Sequence, residues 1–308
     1  MSTERPFVVV LAGGEGSRLI SLTRALYGVD LPKQFAVLDG ERSLLQSTIE
    51  RALAITSEDR ILVVITARYE GIARVQLLRY PQVELVIQPR NLDTAPGMLL
   101  PVARILARAP SAQVIFLPSD HYVVNPAPIE RALEASAVPA LADRITLIGV
   151  TPVSAEVEYG WIARGRPIPG SCASTVEAFR EKPSRELAEQ LRSAGALWNT
   201  FICAGNASHL WSLAQKYLPR VTAALESYST TIGCLEEEYA LEAAYQEMVP
   251  TNFSRDLLAR TDALAVIAVS GTGWTDWGSP ARVFASLEGT PGHARLLQRI
   301  RGDLDMAS

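Results

Sequence analysis

The chain has 308 residues, of which 48% are hydrophobic and 20% are charged, an ordinary composition for a globular protein with a sizeable core, which argues against disorder. Its formal net charge of −4 disfavours a nucleic-acid or anionic-membrane partner, because such proteins present a basic face. Any anionic ligand must therefore be held by a few local cations.

The N-terminal stretch mixes acid and base ahead of a short apolar run that ends in glycines. It is neither a signal peptide nor long enough to span a membrane, and we expect a cytoplasmic protein. Three widely separated cysteines, Cys172, Cys203 and Cys234, lack the close spacing of a zinc or redox site. We expect them to be buried free thiols, which suits a reducing compartment.

Several apolar runs are rich in Val, Ile and Leu without alternation, the pattern of strands covered on both faces. The runs are 7–12, 61–66, 83–88, 113–119, 145–150 and 263–269. Helical stretches lie between them, one of them following a plausible cap at Ser43. Alternation of strand and helix predicts an α/β fold with a doubly wound, mostly parallel, Rossmann-like sheet.

The C-terminal third differs in pattern, because residues 206–262 are predicted to be mainly helical. This segment is expected to cover a substrate site or form a subunit contact. With no internal repeat or clear linker, we predict one domain over residues 5–290 and a C-terminal helix or tail over 291–308.

Ligands of such sheets gather beyond the carboxyl ends of the strands. There the first strand runs into Gly13, Gly14 and Gly16, followed by Arg18, and Lys33 comes 15 residues later. Glycines allow backbone N–H groups to approach anionic oxygens, and two cations would offset a triphosphate. A plain turn with two solvated cations is the alternative, whereas a dinucleotide fold needs a small residue where Arg18 stands.

Together these segments resemble the sugar-1-phosphate nucleotidyltransferases, most closely the bacterial mannose-1-phosphate guanylyltransferase branch. The matches run in the family's order from residue 11 to residue 280: "LAGGEGSRL", "LPKQF", "TAPG", "PSDHYV", "EYGWI", "FREKP", "LWNTFI" and "WTDWGSP". The resemblance implies three catalytic cations, Arg18, Lys33 and Lys182. It implies nucleotide contacts from Leu11, Ala12, Gly13, Gly14, Gly16, Ser17, Gln88, Thr94, Ala95 and Pro96.

The resemblance also implies that Asp120 and Asp276 hold Mg²⁺ as a cofactor. Carboxylates are suitable ligands for this cation, and Asp120 ends a buried strand. Taken by themselves, Asp120 could equally be a helix cap or turn acceptor, and Asp276 a turn aspartate under an aromatic lid. His121 is expected to pack nearby rather than to ligate, because magnesium prefers oxygen.

For the sugar phosphate, the resemblance implies contacts from Asp120, Gly160, Glu181, Lys182 and Asn199. Lys182 would contact the phosphate and Glu181 the sugar hydroxyls. Adjacent strand residues point to opposite faces, so these two side chains should contact different groups. A solvated Glu–Lys pair is the alternative.

One segment departs from the family's pattern. Leu92 and Asp93 precede "TAPG", where the family carries an arginine at the position of Leu92, and Arg90 lies two positions earlier. This segment resembles the family's base-recognition loop, so the choice of guanine is less firmly predicted than the reaction class.

The expected function is that of a mannose-1-phosphate guanylyltransferase, with GTP and mannose 1-phosphate as substrates. Two alternatives stay open: a thymidylyl- or uridylyltransferase acting on glucose 1-phosphate, and a non-catalytic regulator that binds nucleotide sugars. We expect no additional isomerase domain and no hexapeptide-repeat tail. A homodimer is one oligomeric state that the sequence allows.

Overall fold

The computed structural model describes residues 5–40 and 42–306, and its framework is a single 9-stranded sheet. The strands are β1 (Phe7–Leu11), β2 (Ile61–Thr66), β3 (Glu84–Gln88), β4 (Gln113–Pro118), β5 (Ile145–Val150), β6 (Gly160–Pro167), β7 (Ser174–Glu181), β8 (Leu197–Asn206) and β9 (Leu264–Val269). Six of them coincide with the predicted apolar runs to within about one residue at each end.

The sheet order is β3-β2-β1-β4-β8-β5-β9-β7-β6. The α/β class is correct, but the predicted mostly parallel sheet is not confirmed, because the sheet is mixed. Strand β8 runs antiparallel to β4 and β5, and the β6–β7 pair is antiparallel too. Eight of the ten residues of β8 are buried, and a strand covered on both faces has the same apolar pattern in either direction.

Helices cover both faces of the sheet. They are α1 (Ile20–Tyr27), α2 (Leu44–Leu53), α3 (Glu70–Leu77), α4 (Thr94–Leu106), α5 (Ala127–Ala135), α6 (Arg185–Ser193), α7 (Ala207–Tyr217), α8 (Pro219–Ser229), α9 (Glu237–Glu247), α10 (Pro280–Leu287) and α11 (Pro291–Met306). Successive residues of β1 point to opposite faces: Val9 packs in the core under α4, α7, α8 and α9, while Val8 and Val10 pack under α2, α3, α5 and α6.

Two helix starts follow from their capping residues. The hydroxyl of Ser43 accepts from the backbone N–H of Gln46 at 3.1 Å, and Gln46 Oε1 accepts from the backbone N–H of Ser43 at 3.2 Å. This reciprocal capping box confirms the predicted start of α2. Ser184 caps α6 by a single bond, in which its hydroxyl accepts from the backbone N–H of Leu187 at 3.3 Å.

The segment predicted to be helical contains α7, α8, α9 and a short π-helix, Ser254–Leu258. Beyond it, α10 and α11 form a third apolar cluster with α1, in which Leu296 is fully buried. Helix α11 begins at Pro291, where the predicted tail begins, and residues 307–308 of that tail lie outside the described residues. No helix in residues 5–40 and 42–306 has the length and apolarity required to cross a bilayer.

The three cysteines are free, but only Cys203 is buried. Cys172 and Cys234 are exposed, so the prediction of buried thiols is wrong for these two. Both lie in turns between elements, outside the apolar strands that bury Cys203.

Candidate active site

A cavity of about 720 Å³ opens beyond the carboxyl ends of β1, β3 and β4. Its lining includes Leu11, Ala12, Gly13, Gly14, Gln88, Thr94, Gly97, Ser119, Asp120, His121 and Phe201. Gly16 and Ser17 are not part of this lining. They lie at the start of the short 3-10 helix that contains Arg18. The cavity has the size typical of small-molecule sites.

The glycine-rich loop is held by Gln34. Its Nε2 donates to the carbonyl of Ala12 at 3.0 Å and to that of Gly14 at 2.6 Å. Gly16 has φ +61°, and a Cβ there would lie 2.8 Å from the backbone nitrogen of Lys33. Glycine is therefore required at position 16, because the loop lies directly against residues 32–34.

Lys33 contacts both residues that are predicted to bind the metal, Asp120 and Asp276. Its side chain is 8% exposed, and Nζ lies 3.2 Å from Oδ2 of Asp120. The same Nζ donates to the backbone carbonyl of Asp276, which is 243 residues away in the chain. The structure thus brings Lys33, Asp120 and Asp276 to one point, as the sequence predicts.

A network of donors fixes the carboxylate of Asp276. Oδ1 accepts from the Tyr159 hydroxyl at 3.0 Å, from the Gly278 N–H at 2.9 Å and from Arg282 Nη1 at 2.8 Å. Oδ2 faces Arg18 Nη1 at 3.6 Å. One oxygen therefore closes a turn, which was the alternative interpretation, while the other is directed toward Arg18 at the rim of the site.

Both carboxylates are ionised at neutral pH. Burial pushes the pKa of Asp120 upward, but Lys33 and His121 outweigh burial and hold that pKa below its usual value. The pKa of Asp276 is also lowered, since His121, Lys33 and Arg282 overcome the effect of burial. Burial lowers the pKa of His121, and the charge of Asp120 offsets part of that effect.

The residues predicted to bind the sugar lie together at the β6–β7–β8 junction. Gly160 pairs with Glu181 across the β6–β7 ladder, and a Cβ on Gly160 would lie 2.9 Å from Glu181 Oε2 and 3.3 Å from Asn199 Cβ. Burial raises the pKa of Glu181, partly offset by Lys182. Trp161 and Trp198 are buried beside them, with their ring centres 6.3 Å apart.

Lys182 does not follow the strand geometry expected of it. Strand β7 ends at Glu181, and Lys182 has φ +44°, so the opposite-face argument does not apply to it. Its backbone N–H donates to the carbonyl of Tyr159 at 3.2 Å. Because the Tyr159 hydroxyl binds Asp276, Tyr159 connects the backbone of Lys182 to the residue that also contacts Lys33 and Arg18.

The segment from Gln88 to Gly97 follows β3 and opens α4. Thr94 lines the cavity, while Ala95 and Pro96 are buried in the first turn of α4. Arg90 does not line the cavity, because its Nη2 is bonded to Glu242 on α9. The helical segment therefore supports this loop.

Backbone strain is concentrated at this site. Within the ranges that the structure describes, the non-glycine residues with positive φ are Asp93, Lys182, Phe201 and Trp277, with φ values of 69°, 44°, 58° and 44°. Asp93 and Phe201 line the cavity, and the other two follow Glu181 and Asp276. Such conformations cost free energy and cluster where a backbone is constrained by function.

The donor set suits a magnesium ion. Asp120 and Asp276 offer ionised carboxylate oxygens, and Lys33 Nζ contacts the carboxylate of Asp120 and the backbone carbonyl of Asp276. No third His, Cys, Asp or Glu joins them into a metal-binding cluster among the described residues. This agrees with the way proteins bind Mg²⁺, through one or two carboxylates completed by phosphate oxygens and water.

Sequence reasoning missed the residues that position the others: Gln34, Glu156, Tyr159, Tyr245 and Arg282. Arg282 bridges Asp276 and Glu156, at 2.8 Å and 2.5 Å, and its guanidinium lies 4.9 Å from the centre of the Tyr159 ring. Tyr159 and Gln34 stood inside quoted motifs, so their position was a usable signal. Arg282 lies just beyond the last motif, and no sequence pattern indicated its role.

Comparison with known proteins places the chain in one protein family. A sequence model described as Nucleotidyl transferase matches residues 7–287. The Salmonella typhimurium protein named "Mannose-1-phosphate guanylyltransferase ManC" is 28% identical over 300 residues, covering 94% of this chain and 61% of that protein. The Pseudomonas fluorescens "Alginate biosynthesis protein AlgA" is 29% identical over 288 residues, covering 90% of this chain and 57% of the relative.

Among solved structures, a Thermus thermophilus protein described as a "mannose-1-phosphate geranyltransferase" is similar with a TM-score of 0.79 at 26% identity. The match covers 92% of this chain and 80% of that one. The chain therefore spans most of that structure, and about three fifths of the length of the curated relatives it matches.

Proposed function

Because the chain belongs to the nucleotidyl transferase family, we propose that it transfers GMP from GTP to mannose 1-phosphate, giving GDP-mannose and pyrophosphate. The observation that carries the proposal is the meeting of Lys33 with Asp120 and Asp276 at the mouth of a glycine-lined cavity. The guanylyltransferase name of the Salmonella relative supports the choice of substrates.

In the proposed reaction, an oxygen of the sugar phosphate attacks the α-phosphorus of GTP. The new P–O bond forms as the bond from the α-phosphorus to the oxygen shared with the β-phosphate breaks, and pyrophosphate leaves with that electron pair. The nucleophile is already an anion at neutral pH, so no side-chain base is required. The protein's task is to align two anions and to neutralise their combined charge.

The glycine loop and two cations would hold the triphosphate. No described atom lies within 4 Å of the position of a Cβ on Gly14, so its backbone is open to a phosphate. Lys33 provides a buried charge beside the reacting centre. The half-exposed Arg18 forms loose ion pairs, at 3.6 Å with the mostly buried Asp276 and at 3.8 Å with the half-exposed Glu158, so it can turn toward a phosphate at little cost.

Asp120 and Asp276 would hold Mg²⁺, which when bound neutralises phosphate oxygens. The network of Tyr159, Gly278 and Arg282 keeps the Asp276 carboxylate oriented. Lys182 would steer the attacking phosphate, while Glu181, Asn199 and Gly160 would bind the sugar hydroxyls.

The test is pyrophosphate release from a grid of GTP, UTP and dTTP against mannose 1-phosphate and glucose 1-phosphate, each with magnesium. The proposal predicts the highest kcat/KM for GTP with mannose 1-phosphate and no release without a sugar phosphate. Preference for UTP or dTTP with glucose 1-phosphate would point to the alternative transferases. Nucleotide-sugar binding without any pyrophosphate release would point to a regulator.

The Lys182→Ala variant tests the proposed contact of Lys182 with the phosphate of mannose 1-phosphate. We expect KM for mannose 1-phosphate to rise at least about tenfold while KM for GTP changes little, because a charge-assisted phosphate contact contributes about 1.5–3 kcal/mol. The exposed Lys216→Ala is the matched control. Unchanged use of mannose 1-phosphate by Lys182→Ala would remove Lys182 from the proposed site.

A further inference from the structure

Phe201 has a backbone conformation that its residue type rarely adopts. Its φ is +58°, in the left-handed region, where a Cβ crowds the following carbonyl and glycine is the usual residue. The residue lies inside strand β8 and not in a turn. Such a conformation costs free energy and persists only where the surrounding structure imposes it, which directs attention to what the side chain does.

A β-bulge in β8 produces this conformation. Asn199 pairs with Gly149 and Cys203 pairs with Leu147 of β5. Between these two pairs β8 has three residues, whereas β5 has only Ile148. A bulge bends the strand and redirects a side chain, and bulges are frequent next to active sites.

Side-chain hydrogen bonds hold the bulge in place. Asn199 Oδ1 accepts from the backbone N–H of Phe201 at 3.1 Å. The hydroxyl of Thr200 donates to the Ile148 carbonyl at 2.7 Å and accepts from the backbone N–H of Ile202 at 3.2 Å. None of these bonds uses the phenyl ring, so a glycine at position 201 would keep them all without the strain. The ring is therefore explained by what it contacts and not by the bulge.

The ring lies between two parts of the candidate site. Phe201 lines the nucleotide cavity, and it packs on one side against the core under α4 and α7. Asn199, one of the predicted sugar-binding residues, is two positions before it. Because β8 runs antiparallel to β4, with Cys203 opposite Phe116, Phe201 lies beside the end of β4 that leads to Asp120. Of the described residues that line the cavity, Phe201 is the one that β8 contributes.

We propose that Phe201 is a specificity-determining residue, whose ring fills the space between the nucleotide cavity and the predicted sugar-binding residues. It would restrict the acceptor to hexose 1-phosphates without a bulky substituent on the sugar ring, because a rigid aromatic side chain on a fixed backbone cannot give way. This inference rests on the proposed function, since it assumes that a sugar 1-phosphate binds beside Asn199.

The test removes the ring in two ways, as Phe201→Gly and Phe201→Ala. With GTP as the nucleotide, kcat/KM is measured for mannose 1-phosphate and for N-acetylglucosamine 1-phosphate, which carries a bulky acetamido group. We expect the preference for mannose 1-phosphate to fall at least about tenfold in both variants. Phe284→Ala is the matched control, because Phe284 is a partly buried phenylalanine of α10 outside the cavity lining. It should keep the wild-type ratio.

Urea denaturation tests the strain separately from activity. Both variants lose the same ring, but alanine retains a Cβ in the left-handed conformation, so Phe201→Gly should have the higher urea midpoint. If Phe201→Ala folds poorly, Phe201→Gly still reports on the acceptor. An unchanged acceptor ratio in Phe201→Gly, an equal change in Phe284→Ala, or a lower midpoint for Phe201→Gly than for Phe201→Ala would overturn the inference.

Binding measurements separate this inference from the proposed reaction. The two sugar phosphates are titrated into the wild-type protein and Phe201→Gly in the presence of GDP. If Phe201→Gly loses a wild-type binding preference for mannose 1-phosphate but no pyrophosphate is ever released from GTP, the inference stands and the reaction fails. If pyrophosphate is released and Phe201→Gly keeps the wild-type acceptor ratio, the reaction stands and the inference fails. A wild-type protein that binds both sugar phosphates equally, or neither, also overturns the inference.

Discussion

At the residue scale, the site depends on side chains and backbone held by neighbours from distant parts of the chain. Asp276 is oriented by Tyr159, Gly278 and Arg282, and the glycine loop is held by Gln34. The resemblance of the sequence motifs to a known family predicted that Lys33, Asp120 and Asp276 belong to one site. It could not predict Arg282, whose role follows only from the tertiary position of α10.

Arg282→Gln tests the positioning of Asp276. Loss of the bonds to Asp276 and Glu156 should lower kcat about 10- to 100-fold and raise the magnesium concentration needed for half-maximal activity, as for other partners of metal-binding carboxylates. Titration of initial rate with magnesium measures both effects. Arg24→Gln, which removes an exposed Arg–Asp pair, is the control. Equal magnesium dependence in the two variants would contradict the assigned role.

Gly16→Ala tests the close contact of the glycine loop. The backbone has φ +61°, and the new Cβ would meet the backbone of Lys33 at 2.8 Å, so we expect a loss of at least about 2 kcal/mol in the free energy of unfolding. Gly28→Ala is the control, because it shares the positive φ, +70°, but has open space around its Cβ. It should lose only about 1 kcal/mol, as measured by urea denaturation. A smaller loss in Gly16→Ala than in Gly28→Ala would contradict the contact.

At the scale of elements, apolar runs and caps predicted where strands and helices lie but not how the strands are directed. The strands from β1 to β5 were recognisable because burial on both faces produces continuous apolar runs. Strands β6 and β7 are half-exposed and bulged, with register shifts near Arg164, and they lack that pattern. Strand β8 follows α6 and inserts antiparallel between β4 and β5, an arrangement that no local pattern records.

The capping box of α2 gives a prediction about stability. Ser43→Ala should lower the free energy of unfolding by about 1–2 kcal/mol, because it leaves the Gln46 N–H without its acceptor and Gln76 Oε1 without the hydroxyl donor. Ser57→Ala is the matched control, since Ser57 occupies a helix-start position without a side-chain capping bond. It should change stability by less than about 0.5 kcal/mol in urea denaturation. Equal effects would show that the capping bond does not stabilise α2.

At the scale of the whole molecule, the loop after Gln88 is held between two distant parts of the chain. One is strand β3 at the sheet edge, and the other is residues 237–253, which comprise α9 and the turn after it. The sequence predicted the helices of this segment but not where they dock, because their mixed faces are compatible with several partners. Docking is set by long-range bonds such as Arg90–Glu242 and Tyr245–Gln88. These pairs are 152 and 157 residues apart, beyond the reach of any local pattern.

Thiol labelling tests the packing of the whole fold. Burial raises the pKa of the Cys203 thiol to about 12, while Cys172 and Cys234 are exposed. Since the thiolate is the reactive form, a thiol reagent at about pH 8 should modify two cysteines in the native protein and three in urea. Rapid native modification of Cys203, identified by peptide mass, would contradict the burial of β8.

The central claim is that Lys33, Asp120 and Asp276 form one centre for nucleotidyl transfer, and phosphorus NMR of the reaction tests it most directly. With GTP, mannose 1-phosphate and magnesium, the wild-type protein should yield GDP-mannose and pyrophosphate in equal amounts. Lys33→Met should be slower by at least about 100-fold at a temperature where circular dichroism shows it folded, while Lys216→Met keeps the wild-type rate. Orthophosphate as the product, or wild-type turnover by Lys33→Met, would contradict the claim.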